Sequence, residues 1–267
     1  MTAIKRAIRT LIKKPLRRLL KIFNIGSSHL SPSTQIEVEN FLGSLDPHFR
    51  SALSSMYRED PQLGSDGQFH SIDKVTSINA KAGKWLYDFC LFTKPKYTLE
   101  IGMAYGFSTL FFMAAMYENK IGHHTAIDPF QNSVWKGIGL THAQKASELG
   151  LHFSFIEDRS DHASADLARA SCKFDLIFID GNHRFDDVLV DFYLYAPLCS
   201  VGGHIIFDDA GFNSIQSVIA FIRANRSDFK EIPNSPHGWC VFERVGDDQR
   251  HWQHFRKFKV ASDSNHE

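Results

Sequence analysis

Apolar residues in the first 25 positions recur at the spacing of one helix face: Ile4, Ile8, Leu11, Ile12, Leu16, Leu19, Leu20 and Phe23, with Lys and Arg between them. That period predicts an amphipathic helix, kinked or split at Pro15. Residues 26–34, IGSSHLSPS, break the pattern and read as a linker. Helical spacing resumes over 35–57, with a break near Asp46-Pro47, and over 73–93, where Val75, Ile78, Ala82, Trp85, Leu86 and Phe89 share a face. Residues 59–72 between them form a polar, glycine-bearing loop. From residue 97 the period shortens. Runs at 97–102, 124–128, 153–156, 174–180, 204–208, 229–232 and 239–245 predict seven strands. Helical stretches at 108–120, 135–149, 161–170, 186–198 and 214–225 fall between them. The alternation predicts an α/β fold: a doubly wound, mostly parallel seven-stranded sheet with an N-terminal helical extension. The apolar central strands suit a sheet covered on both faces. Four segments follow: a basic amphipathic helix (1–25), a linker and helical cap (26–69), the α/β domain (70–247) and a C-terminal tail (248–267).

With 43% apolar and 22% charged residues in 267, the chain is neither disordered, collagen-like nor coiled-coil. No apolar run approaches the roughly 18 residues of a membrane span. Cys90, Cys172, Cys199 and Cys240 form no CxxC pair, so they read as small buried residues in a reducing compartment. Net charge is zero, but the eight Lys and Arg before Glu37 leave a body with 22 cations against 30 acids. An acidic body excludes general nucleic-acid binding. The basic helix suits the surface of an anionic membrane, with packing on the body or on a second copy in a homo-oligomer as the competing use. It is not a secretory signal, because charges interrupt every apolar stretch. The expected location is the cytoplasm, peripheral on the inner face of a membrane.

Ligands of doubly wound sheets bind beyond the carboxyl ends of the strands. Four predicted strands end there in an acid or glycine: Glu100 with Gly102, Asp128, Asp180, and Asp208 with Asp209. The turn Glu100-Ile101-Gly102-Met103-Ala104-Tyr105-Gly106-Phe107-Ser108 has G-x-x-x-G spacing, not the dinucleotide fingerprint. Its acid opposes a pyrophosphate and suits a cationic amino-acid end, while Asp128 can accept both hydroxyls of a ribose. A nucleoside joined to a cationic amino acid fits S-adenosylmethionine better than NAD. If their strands are neighbours, about 4.8 Å apart, Asp180, Asp208 and Asp209 converge. Such carboxylates repel unless protonated or holding a cation, and all-oxygen ligands select Mg²⁺ over zinc. His183, three residues past Asp180, can take a proton near neutral pH.

TLEIGMAYGFST, AIDP, FDLIFIDGNHRFDDVLVDF and GGHIIFDD, in that order, resemble the class I S-adenosylmethionine-dependent methyltransferases. The bacterial branch with macrolide sugar O-methyltransferases and cephalosporin-pathway enzymes is most similar, over roughly residues 70–245. The resemblance implies that Glu100 and the Gly102–Gly106 turn hold the methionine end, helped by Ser108, and that Asp128 holds the ribose. Arg159 or Ser160 would lie near the adenine, although the family's Gly-Asp-Ser is Asp158-Arg159-Ser160 here. Asp180 would border the cofactor and, with Asp208 and Asp209, hold the metal; His183 would be the base. The implied activity is Mg²⁺-dependent O-methylation of a sugar or other small hydroxyl acceptor. A lipid-linked glycan becomes an acceptor if the basic helix binds a membrane, and loop 59–72 would close over it. The alternatives are a nicotinamide-dependent oxidoreductase and a non-catalytic membrane-associated scaffold. Asp186, Asp187 and Asp191 read as a solvated helix face, Trp239 as core, and His251, Trp252, His254 and Phe255 as a mobile or oligomeric tail. Deleting residues 1–25 should abolish co-sedimentation with anionic liposomes; equal partitioning of full-length and truncated protein would refute the membrane use.

Overall fold

The computed structural model describes residues 32–73, 76–236 and 238–260. The amphipathic helix expected at 1–25 lies outside them. The chain divides between Phe41 and Leu42 into two compact units, and the account below concerns the second.

The expected break at Asp46-Pro47 separates helix α1 (Pro32–Ser44) from α2 (Pro47–Tyr57). Asp46 caps α2, accepting from the His48 amide at 2.9 Å, and Pro47 fills the first turn, where a missing N–H costs nothing. α2 buries Phe49, Leu53 and Met56, one face at spacings of four and three. The polar loop at 59–72 contains a small hairpin, β1 (Gln62–Leu63) and β2 (Phe69–His70). Helix α3 begins later than the expected residue 73, at Ala80, and runs to Thr93. Asn79 decides this, because its side chain accepts from the Ala82 amide at 3.0 Å and fixes an extended backbone at residue 79.

The remaining elements are β3 (Tyr97–Ile101), α4 (Phe107–Asn119), β4 (His123–Ile127), α5 (Ile138–Ser147), β5 (His152–Ile156), α6 (Ser160–Arg169), β6 (Phe174–Ile179), α7 (Phe185–Tyr195), β7 (Cys199–Phe207), α8 (Asn213–Asn225), β8 (Phe229–Ile232) and β9 (Cys240–Arg244). Seven strands form one sheet in the order β5-β4-β3-β6-β7-β9-β8. Neighbours from β5 to β7 are parallel, and β9 is antiparallel to both β7 and β8. This is the expected doubly wound sheet, with its strand order reversing beside β3 and β6. β7 starts earlier than expected, and its register with β6 slips between Phe174 and Leu176, where Gly202 (φ +83°) and Gly203 bulge the strand.

Period two divides the sheet residues between two cores. Leu99, Ile101, Ile177, Ile179, Ile205 and Phe207 pack with Val188 and Phe192 of α7 and Ile215, Val218 and Ile219 of α8. Glu100 and Phe178 face the other way, toward α4, where Phe112 meets Phe178 at 6.2 Å between ring centres. α4 is buried from Phe107 through Met116, because helices cover it on the side away from the sheet. In the C-terminal tail, Arg256 is tied to α8: the Asn225 amide donates to Arg256 O at 3.0 Å and its oxygen accepts from Arg256 N at 2.7 Å. Cys90, Cys199 and Cys240 are buried and all four cysteines are free thiols. Among the described residues no helix is long and apolar enough to cross a membrane.

α3 meets α4 at Gly83, where an added Cβ would lie 2.0 Å from the Phe111 ring. Helix propensity favours alanine there by about 1 kcal/mol, but overpacking a core costs about 1–3 kcal/mol. Gly83→Ala should therefore lower the urea midpoint, where an exposed helix glycine would raise it.

Candidate active site

The acid-bearing ends of β4, β3, β6 and β7 are consecutive in the sheet, so one edge collects all four. The turn leaving β3 is a run of left-handed residues: Gly102 at φ +94°, Ala104 at +46° and Gly106 at +85°. Glycine is needed at both outer positions for a second reason. A Cβ on Gly102 would stand 2.1 Å from the Asp180 carbonyl oxygen, and one on Gly106 2.9 Å from Gly139 Cα. The turn is thus pressed against the β6 end on one side and the start of α5 on the other.

Asp128 ties this turn down. Its Oδ2 accepts from the amides of Ala104 at 2.8 Å and Met103 at 3.2 Å, and its Oδ1 from Phe130 N at 2.7 Å. Burial raises its pKa, opposed by those three amides. Gln131 supports the same turn, donating to Ala104 O at 2.6 Å, while its own Oε1 is buried without a partner. That leaves an unused acceptor beside the turn.

The geometry corrects the part assigned to Glu100 and Ser108. Glu100 is fully buried and its carboxylate is occupied by protein. Ser108 donates to Oε2 at 2.8 Å, Thr109 donates to Oε1, and His124 Nε2 sits 3.2 Å from Oε1 without hydrogen-bond alignment. Thr98 engages the other His124 nitrogen at 2.8 Å. Glu100 therefore joins β3 to the first turn of α4 from behind, and no face of it is left for a ligand ammonium. His124 carries no motif signal; only the packing of β4 against β3 reveals it.

At the other end of the edge, Arg159 is exposed and paired with Asp161 at 2.9 Å. Ser160 Oγ donates to Asp191, and its carbonyl accepts from Tyr195 Oη at 2.7 Å. Asp191 is not on a solvated face: it is 4% exposed, and burial pushes its pKa up to about 6 against the Ser160 hydrogen bond. Helical amphipathicity hid it, because one acid among Asp186, Asp187 and Asp191 turns inward while the first two stay near solvent.

Asp180, Asp208, Asp209 and His183 do come together. His183 Nε2 lies 3.4 Å from Asp180 Oδ1, and Nδ1 lies 3.4 Å from Asp209 Oδ2. Asp180 and Asp208 are in hydrogen-bond contact. Enclosure, then the charge and hydrogen bond of Asp208, then Asp209, hold the Asp180 carboxyl well above the usual range. Burial and Asp208 raise Asp209, and the His183 imidazole opposes them. Asp209 sits at φ +49°, and Ser214 fastens the His183 carbonyl at 2.6 Å. The Trp239 indole N–H donates to Asp208 Oδ1, so this residue belongs to the edge as well as to the core. The donors suit a hard cation in chemistry and in charge. Even so, among the described residues no group of three or more His, Cys, Asp or Glu is arranged to hold a metal ion: the His183 ring lies between Asp180 and Asp209.

Residues 99–210 match the family described as a methyltransferase domain. The uncharacterized protein R132 of Acanthamoeba polyphaga mimivirus is 49% identical over 35 residues, 13% of this chain and 16% of that protein. The match thus spans about a sixth of that relative's length. Among solved structures, the SAH-bound methyltransferase PaMTH1 of Podospora anserina superposes with a TM-score of 0.59 at 14% identity, over 80% of this chain and 97% of that one. The O-methyltransferase TomG of Streptomyces achromogenes, in complex with SAM, gives 0.55 at 18% identity over 79% and 96%. An O-methyltransferase of Bacillus cereus in complex with SAH gives 0.56 at 14% identity over 79% and 97%. At these identities the likeness is one of fold. Neither the oxidoreductase nor the scaffold alternative gains support.

A carboxyl whose folded pKa is raised costs stability once pH exceeds the unfolded value near 4, and the cost is complete above the folded one. For Asp191 at about 6, two units correspond to on the order of 3 kcal/mol. Asp191→Asn keeps an acceptor for Ser160. It should raise Tm by several degrees at pH 7–8, with the gain vanishing below about pH 4 in thermal melts.

Proposed function

We propose that this chain, whose residues 99–210 match a family described as a methyltransferase domain, moves the methyl group of S-adenosylmethionine onto the hydroxyl of a small acceptor. The observation that carries the reading is the single edge where the Asp128-clamped glycine turn touches Asp180, itself within reach of His183. The S-adenosyl ligands of the PaMTH1, TomG and Bacillus cereus structures support the choice of donor.

The turn from Gly102 to Gly106 would seat the donor, Asp128 would receive the ribose hydroxyls, and Ser160 with Arg159 would border the adenine. Glu100 and Ser108 keep the turn and the α4 start in place. His183 removes the proton from the acceptor hydroxyl, with Asp180 and Asp209 steadying the imidazolium that results. The acceptor oxygen then attacks the methyl carbon in line; a C–O bond forms, the S–C bond breaks, and the sulfonium leaves as a neutral thioether. Alignment is the protein's main contribution to that step. The oxygen donors of Asp180, Asp208 and Asp209 would hold Mg²⁺ only with the His183 ring turned out from between Asp180 and Asp209; the chemistry of that ion when bound is to lower the pKa of a coordinated hydroxyl. The motif resemblance supports a sugar, or a lipid-linked glycan if residues 1–25 reach a membrane, as the acceptor class.

His183→Ala should bind S-adenosylhomocysteine within about twofold of wild type by calorimetry and lose at least about 100-fold in transfer to an acceptor panel. Retained turnover would remove the base, and absent binding in wild type would remove the reading. Exhaustive EDTA treatment should abolish transfer and added Mg²⁺ restore it; indifference to chelation would remove the ion.

A further inference from the structure

We propose that Trp239 is a positioning residue for the acidic edge: its indole N–H holds Asp208 in the orientation that meets Asp180. The inference rests on the methyl-transfer reading only for what those carboxylates serve.

Topology puts it there. β9 runs antiparallel to β7 with Cys240 opposite Phe207, so the beginning of β9 lies beside the carboxyl end of β7. The residue before β9 therefore meets the residue after β7, and these are Trp239 and Asp208. A backbone bond from Ala210 N to Gly238 O at 2.7 Å fastens the two loops together. The ring is 5% exposed and fixed on two sides, edge-on to Phe178 and to Trp85 of α3, each at 5.4 Å between centres. An indole N–H is a donor only, and here its acceptor is the Asp208 carboxylate. A core tryptophan needs only a place for its ring; this one also fixes one oxygen of Asp208, whose backbone N donates to Ile179 O beside Asp180 at 3.1 Å. Trp239 thus orients a carboxylate that it does not assist chemically, in the way outer partners orient metal ligands.

The test uses the full chain labelled with ¹⁵N-tryptophan, whose four tryptophans give four indole resonances. Trp239→Phe keeps an aromatic ring, removes the N–H and identifies the Trp239 signal. Asp208→Ala should move that signal upfield and leave the other three in place. Trp239→Phe should weaken Mn²⁺ binding about tenfold or more, and combining it with Asp208→Ala should add nothing to the loss from Asp208→Ala alone. An indole signal indifferent to Asp208→Ala overturns the proposal. So does Mn²⁺ affinity that is absent, or equal in wild type and a folded Trp239→Phe. S-adenosylhomocysteine binding, measured on the same samples, should stay within about twofold throughout. Its absence in wild type counts against the methyl-transfer reading, while the indole signal still decides for or against Trp239.

Discussion

The contact between Gly102 and the Asp180 carbonyl is the constraint on which the rest of the edge depends. With a side chain at residue 102, a Cβ would fall 2.1 Å from that oxygen, and the β3 turn could not lie against the end of β6. The ladder continues through the same point, from Asp180 N to Ile101 O at 2.9 Å and from Gly102 N to Ile127 O at 2.9 Å. Three strand ends are thereby sewn together at their carboxyl termini. The glycine turn and the acidic cluster are neighbours because backbone meets backbone there.

Such an edge concentrates negative charge, and each carboxylate is compensated differently. Glu100 is enclosed and served by hydroxyls and an imidazole. Asp128 is served by backbone amides, whose donors are fixed by the turn itself. Asp180 has its carboxyl raised by enclosure and by Asp208, and Asp209 faces His183. The first two are held by the protein and have structural work; the last three lack fixed donors, apart from the indole on Asp208. Incomplete compensation is what a reacting proton or a cation requires.

Much of this was readable along the chain. Strand and helix periods placed all seven strands of the main sheet, and the acids at their ends pointed to one edge by the rule for doubly wound sheets. Asp46-Pro47 marked the α1–α2 boundary because capping is a local event. Asn79 carries the same kind of signal, against apolar spacing that runs on through Val75 and Ile78. The hairpin at Gln62–His70 escaped because two-residue strands have no period to detect.

What the sequence determined by itself was therefore one-dimensional: element type, element order, and which residue ends each strand, all consequences of local backbone preference and spacing. What only the tertiary structure decided was which way each acid turns and what it meets. Glu100 became a buried clamp because β4 brings His124 to it, and Asp191 turned inward because α6 offers Ser160. Trp239 reached Asp208 because β9 reverses direction beside β7. Those partners lie 24, 31 and 31 positions apart in the chain. Hydrogen bonds and Coulomb forces act over a few ångströms of space, and distance along the chain does not specify distance in space.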